Sequence, residues 1–214
     1  MYERWGRFIA GRWPVVLSVW VGLVVAVNAV APRWDDVTRD GDLAYLPSRM
    51  TSVRGERLMG QAFDGPQARS QVVLAFERND RPLDAVDFAA IERLAEAFEA
   101  EAEAAGPLPI VNVWSPAEDV LGEKLVSGDR RAALVLLQLS HEFLAVKNIE
   151  VLGEVRARLD EARASGQLPR GLGVGVTGSA AIGGDMLLAA AESIRSTEWL
   201  SAALVIAILL VVYR

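Results

Sequence analysis

The two longest uncharged stretches of this 214-residue chain lie near its ends. Pro14 to Pro32 is the first, nineteen residues bounded by Arg12 and Arg33. As a helix it measures about 28 Å, matching a hydrocarbon core of about 30 Å. Trp13, Trp20 and Trp34 place indoles within it or at its ends, as membrane interfaces favour. The second stretch, Trp199 to Tyr213, is fifteen residues, about 22 Å as a helix, and only Arg214 follows it. Such a short run reads as part of a span cut from something longer, with Arg214 snorkelling at a cytoplasmic face as the other reading.

A cleaved signal peptide competes for the first stretch. Its apolar region runs only about 7–15 residues before a small-x-small site. Ala29-Val30-Ala31 offers such a site, but Pro32 follows directly, so length and flanks favour a retained helix. Arg4, Arg7 and Arg12 against Glu3 place the N-terminus in the cytoplasm by the positive-inside rule. Residues 33–198 then lie outside. A segment of that length translocates largely regardless of its own charge.

Composition removes several function classes. Apolar residues at 52% and charged residues at 23%, the latter crowded between the two stretches, exclude a disordered chain and a purely soluble one. The net charge of −6 argues against a nucleic-acid partner, whose phosphates need a basic footprint. Zero cysteines exclude disulfides, thiolate chemistry and cysteine-based metal sites.

Between the spans the hydrophobic period alternates between strand and helix. Gln71–Glu77 reads as a strand. Asp84 is an N-cap with Asp87 three residues on, and Phe88, Ile91, Leu94, Ala95 and Phe98 follow at helical spacing up to Ala105. Gly106-Pro107-Leu108-Pro109 stops that helix. Ile110–Trp114 and Ala132–Leu139 are further strands, the latter apolar enough to be central, joined by a connection over 117–126 that holds a short helix. Leu152, Val155, Leu159 and Ala162 mark a second helix closing near Gly166, and Leu172–Thr177 is a fourth strand. Ahead of the sheet, Ser48 or Thr51 caps a helix ending near Met59-Gly60.

The order β-α-β-β-α-β is the ferredoxin-like, split βαβ arrangement: an antiparallel four-stranded sheet with two helices on one face. The expected class is therefore an α+β membrane protein. Residues 1–13 are a cytoplasmic N-terminus, 14–32 a first transmembrane helix, 33–198 an external α+β domain with its sheet core at 71–178, and 199–214 a truncated second transmembrane helix. From Ser179 no proline interrupts the chain, so the domain's last helix and the second span form one rod of about 50 Å.

No catalytic constellation is present, and the chain reads as a non-enzyme without cofactor or metal. Gly173-Val-Gly175-Val-Thr-Gly178 is formally G-x-G-x-x-G, with Glu198 twenty residues on. Its glycines lie inside a strand and a membrane helix follows, whereas a dinucleotide site needs a parallel βαβ unit. His141 is the only histidine and reads as a turn residue. Asp35, Asp36, Asp40 and Asp42 lack the glycine and closing glutamate of a calcium loop and read as a solvated acidic stretch. Acylphosphatase-type chemistry lacks its glycine-rich anion cradle. Neither span carries an ionisable residue within it, so a proton relay lies outside this chain.

The pattern resembles the N-terminal part of the RND superfamily, in its MMPL-like branch. Asp42-Leu-Ala-Tyr45-Leu46-Pro47 looks like that branch's acidic…(F/Y)-L-P entry into the external domain, and Phe63 falls ahead of its first strand. Thr177-Gly178-Ser179-Ala180-Ala181 with Asp185 looks like its T-G…A…D transition into the second span. The resemblance implies one porter domain of a proton-driven exporter of lipids or other hydrophobic molecules, in the inner or plasma membrane with the domain periplasmic. Its partners are the bilayer, the remaining spans with a second porter domain, and the hydrophobic substrate. The signature residues Asp42, Tyr45, Leu46, Pro47, Phe63, Thr177, Gly178 and Asp185 are then architectural. The competing reading is a complete two-span regulator or binding module, laid out like the chain-length regulators of polysaccharide export. Residues 199–213 lack the proline-rich span of those proteins, and no long apolar heptad run is present. A membrane-anchored enzyme has only its topology in its favour.

Overall fold

The computed structural model describes residues 11–31, 46–63, 65, 67–104 and 106–212. The chain divides into two compact units, Met1–Arg39 and Asp40–Arg214. The described part of the first is helix α1, Trp13–Val30, with Pro14 in its first turn, where a missing N–H costs no hydrogen bond. It is long and apolar enough to cross a membrane, and none of its residues is buried.

In the second unit, helix α2 spans Thr51–Ala62 and leads to strand β1, Ser70–Glu77. Helix α3 (Ala85–Glu103), strand β2 (Ile110–Trp114), a 3-10 turn (Gly122–Leu125) and strand β3 (Ala132–Leu139) follow. Helix α4 (Asn148–Ala164), strand β4 (Gly173–Thr177) and helix α5 (Ser179–Val212) complete the unit. The sheet order is β2-β3-β1-β4, and every pair is antiparallel. The periodicity thus places all four strands and both domain helices within a few residues of their observed bounds.

One face of the sheet carries the core. Val72, Leu74 and Phe76 of β1 lie opposite Leu137, Val135 and Ala133 of β3, all buried. Ile91, Ala95 and Phe98 of α3 and Val151, Leu152, Val155 and Leu159 of α4 join the same cluster. The helical stripe is apolar at i, i+4 and i+7, so each helix buries one side. On the other face, Val73, Leu136 and Trp114 form a row across the three strands and stay half-buried. β3 is central as its apolar run suggests, but its burial alternates, because helices cover only one side.

Three expectations change. Neither Ser48 nor Thr51 caps α2: Met50 stands at the N-cap without a side-chain hydrogen bond. The helix runs on past Met59-Gly60 to Ala62, because Gly60 is tolerated inside it. The helix expected over 117–126 shrinks to the 3-10 turn, in which Gly122 packs so close to the Pro116 carbonyl that a Cβ would lie 2.3 Å from it. The capping box at α3 is as the spacing suggests. The Asp84 side chain accepts from the Val86 and Asp87 amides, and Asp87 reaches back to the Asp84 amide.

Candidate functional site

Thr177, Gly178 and Asp185, three of the eight signature residues, lie at the junction where the sheet hands over to α5. Thr177 ends β4 opposite Val73 of β1. Gly178 follows with φ +105°, a conformation open to glycine, and an added Cβ would lie 2.5 Å from the Gln71 carbonyl oxygen. The chain therefore turns sharply against β1. Ser179 fixes the turn by accepting from the Gln71 amide at 3.0 Å. Ala180 and Ala181 are buried in the core cluster, so the first turn of α5 belongs to the domain.

The next turn is held by close approach. A Cβ on Gly183 would lie 2.1 Å from the Phe143 carbonyl oxygen, and one on Gly184 2.6 Å from Leu152 Cδ1 of α4. Two glycines let the helix sit directly on α4 and on the loop before it. That loop is itself tied down: Asn148, fully buried, donates to the Glu142 carbonyl at 2.7 Å, and Ser70 donates to the His141 carbonyl at 2.6 Å. Asp185, exposed, pairs with Arg156 of α4 at 3.3 Å. Beyond Leu187 the helix leaves the domain and stays exposed through its described side chains to Val212. Its 34 residues measure about 51 Å, and its far half is apolar enough to cross a membrane.

Leu46, Pro47 and Phe63 bracket α2 rather than joining this junction, and Phe63 is exposed. Asp42 and Tyr45, together with Asp35, Asp36 and Asp40, lie outside the described residues. His141 sits in the bend after β3, half-buried. The Gly173–Gly178 motif lies on an edge strand of a wholly antiparallel sheet, with no parallel crevice for a pyrophosphate.

At the opposite end of the sheet lies a lock that the sequence reading missed. Arg78 follows β1 and is buried, and it donates to the buried Asp87 carboxylate from Nε at 2.8 Å and Nη2 at 2.7 Å. Its Nη1 reaches the Arg170 carbonyl at 2.9 Å, and Arg81 adds a second cation to Asp87 at 3.0 Å. The hydrogen bonds from Arg78 hold the Asp87 carboxyl below the usual carboxylate range, and the carboxylate raises the arginine in return. β1, α3 and the entry to β4 are thereby pinned together. Beside it, an open cavity of about 600 Å³ is floored by Phe88, Ile91, Pro116 and Val126 and rimmed by Glu92, Glu123 and Arg130. The Arg130 guanidinium lies 5.6 Å from the Phe88 ring centre.

These features define a class: an antiparallel four-stranded α+β domain continuous with a helix long and apolar enough to cross a membrane. The chain belongs to the MMPL family, whose model matches residues 44–214. Probable transport protein MmpL2 of Mycobacterium tuberculosis (strain CDC 1551 / Oshkosh) is 26% identical over 202 residues, covering 94% of this chain and 20% of that protein. Siderophore exporter MmpL5 of the same strain is 25% identical over 204 residues, with coverages of 94% and 20%. The chain spans about a fifth of the length of the curated relatives it matches. The family is one of membrane transport proteins. The match favours the transporter reading over the two-span regulator, which gains no support.

Proposed function

We propose that this chain supplies the first span, a ferredoxin-like porter domain and part of the second span of a proton-driven exporter of lipids or other hydrophobic molecules. The sheet order and the β-α-β-β-α-β succession support the ferredoxin-like assignment. The observation that carries the mechanism is the unbroken helix α5. Its first two turns are packed into the domain and its last four are apolar. A rigid helix transmits displacement without loss, so movement of the spans below moves the domain above. Residues 33–198 work outside the cytoplasm, against a second, pseudo-symmetric porter domain. The proton relay lies on other spans of the full-length transporter.

Softening the rod tests this reading. Ala189→Gly, Ala190→Gly and Ala191→Gly together keep its length and register while costing about 1 kcal/mol of helix propensity each. Cells expressing the full-length transporter are fed radiolabelled acetate, and labelled lipid outside the cell is counted. The expected result is at least a tenfold loss of export with unchanged membrane insertion. Undiminished export in the triple variant sinks the rod mechanism. Export that persists under a protonophore sinks the proton drive, and the absence of transporter-dependent labelled lipid outside the cell sinks the lipid substrate.

A further inference from the structure

Helix α2 is organised in three stripes. Val53, Glu56 and Gly60, at i, i+3 and i+7, face the linker into β1: Glu56 lies 3.6 Å from Arg69, and Gly60 lies near Gln67. Val53 and Glu56 are the helix's only residues that are not exposed. Arg54, Arg57 and Gln61 repeat the same spacing on the next stripe. Thr51, Gly55, Leu58, Met59 and Ala62 form the third, which Phe63 extends. Leu58 is 63% exposed, Met59 58% and Phe63 65%. At the other end of the helix, Leu46 and Met50 are also exposed.

The charges are one-sided too. Arg49, Arg54 and Arg57 are exposed and make no ion pair among the described residues, while the helix's one acid, Glu56, faces Arg69. A helix of low average hydrophobicity, with large apolar side chains on one arc and arginines beside it, is built for a water–lipid boundary. Exposed arginines complement anionic headgroups. The position agrees. α2 contacts Arg69, one residue before β1, and at that same end of the sheet the Gln71 amide bonds Ser179 at the root of α5. Through Arg69, which also pairs with Glu142 after β3, α2 is tethered at the end of the sheet where α5 begins.

We propose that α2 lies on the bilayer surface, with Leu58, Met59 and Phe63 in the headgroup–acyl boundary and Arg49, Arg54 and Arg57 on anionic lipid headgroups. This rests on the reading of α5 as a membrane span. It gives the domain a second footing besides the rod, set by the lipid composition of the leaflet.

The test uses the full-length transporter on a cysteine-free background, which this stretch already provides. Single cysteines at Met59, at Ile206 in α5, and at Gly128 at the far end of the sheet are labelled with an environment-sensitive fluorophore. Each protein is placed in nanodiscs of brominated phosphatidylcholine with or without phosphatidylglycerol. Ile206 is expected to be quenched in both, Gly128 in neither. Met59 is expected to be quenched with phosphatidylglycerol, and at least threefold less without it or after Arg54→Glu with Arg57→Glu. A quenched Ile206 beside an unquenched Met59 overturns the docking alone, whether Met59 proves open to aqueous iodide or covered by protein. Equal quenching at Met59 in both lipids overturns the anionic recognition. An unquenched Ile206 overturns the span, and the docking with it.

Discussion

Arg78 shows how far a single residue can be read. Val72, Leu74, Phe76 and Arg78 alternate along one strand direction, so period two puts the guanidinium on the core side. A buried cation demands a partner, and that demand is legible in the sequence; the identity of the partner is not. Asp87 is already accounted for as the third residue of a capping box, and its second role depends on how α3 docks on β1. The pairing has a pH signature. The native carboxyl is held below its ordinary value, so its contribution is complete above about pH 4 and is lost as pH falls through the lowered native value. Asp87→Asn keeps the shape and leaves buried Arg78 with only the exposed Asp80 carboxylate, 4.0 Å away. Its apparent Tm at pH 7 is expected to fall by several degrees, with the gap to wild type closing below about pH 4. Tryptophan-fluorescence melts from pH 3 to 8 measure it; a gap independent of pH would mean that the charge is irrelevant.

Among elements, α5 was the most legible and its attachment the least. An uninterrupted run without proline from Ser179 announces one long helix. Nothing local says that Gly183 and Gly184 sit against Phe143 and Leu152, forty and thirty-two residues earlier in sequence. Small residues in a helix carry no direction of their own; the partner appears only once α4 is in place. The same lack of direction explains α2. Ser48 and Thr51 are residue types that cap helices, yet the helix begins after Met50, which makes no side-chain cap. Two glycine substitutions separate contact from propensity. Gly183→Ala puts a methyl into the Phe143 carbonyl and is expected to destabilise the domain by about 1–3 kcal/mol, as overpacking does. Gly153→Ala in α4 meets open space and is expected to stabilise by about 1 kcal/mol through helix propensity alone. Denaturant unfolding of the two variants in detergent gives both numbers. Equal shifts of the same sign would show that the close approach does not constrain α5.

For the whole molecule, the organising asymmetry is charge. Three arginines against one acid precede the first apolar stretch, and the acidic domain follows it. Only the arginines near the span set orientation, because long segments cross largely irrespective of their charge. If the basic N-terminus stays in the cytoplasm, α1 delivers the domain to the far side, and α5 must return the chain. A lone cysteine reports this directly in a chain that has none. In intact cells, an impermeant maleimide is expected to label a cysteine at Gly128, on the exposed hairpin before β3, and to spare one at Glu3 until the membrane is permeabilised. The reverse pattern would turn the domain inward and remove the export direction, although the rod and the packed junction would stand. Labelling at both sites in intact cells would mean that α1 does not cross, so that within this stretch α5 and the footing of α2 constrain the domain.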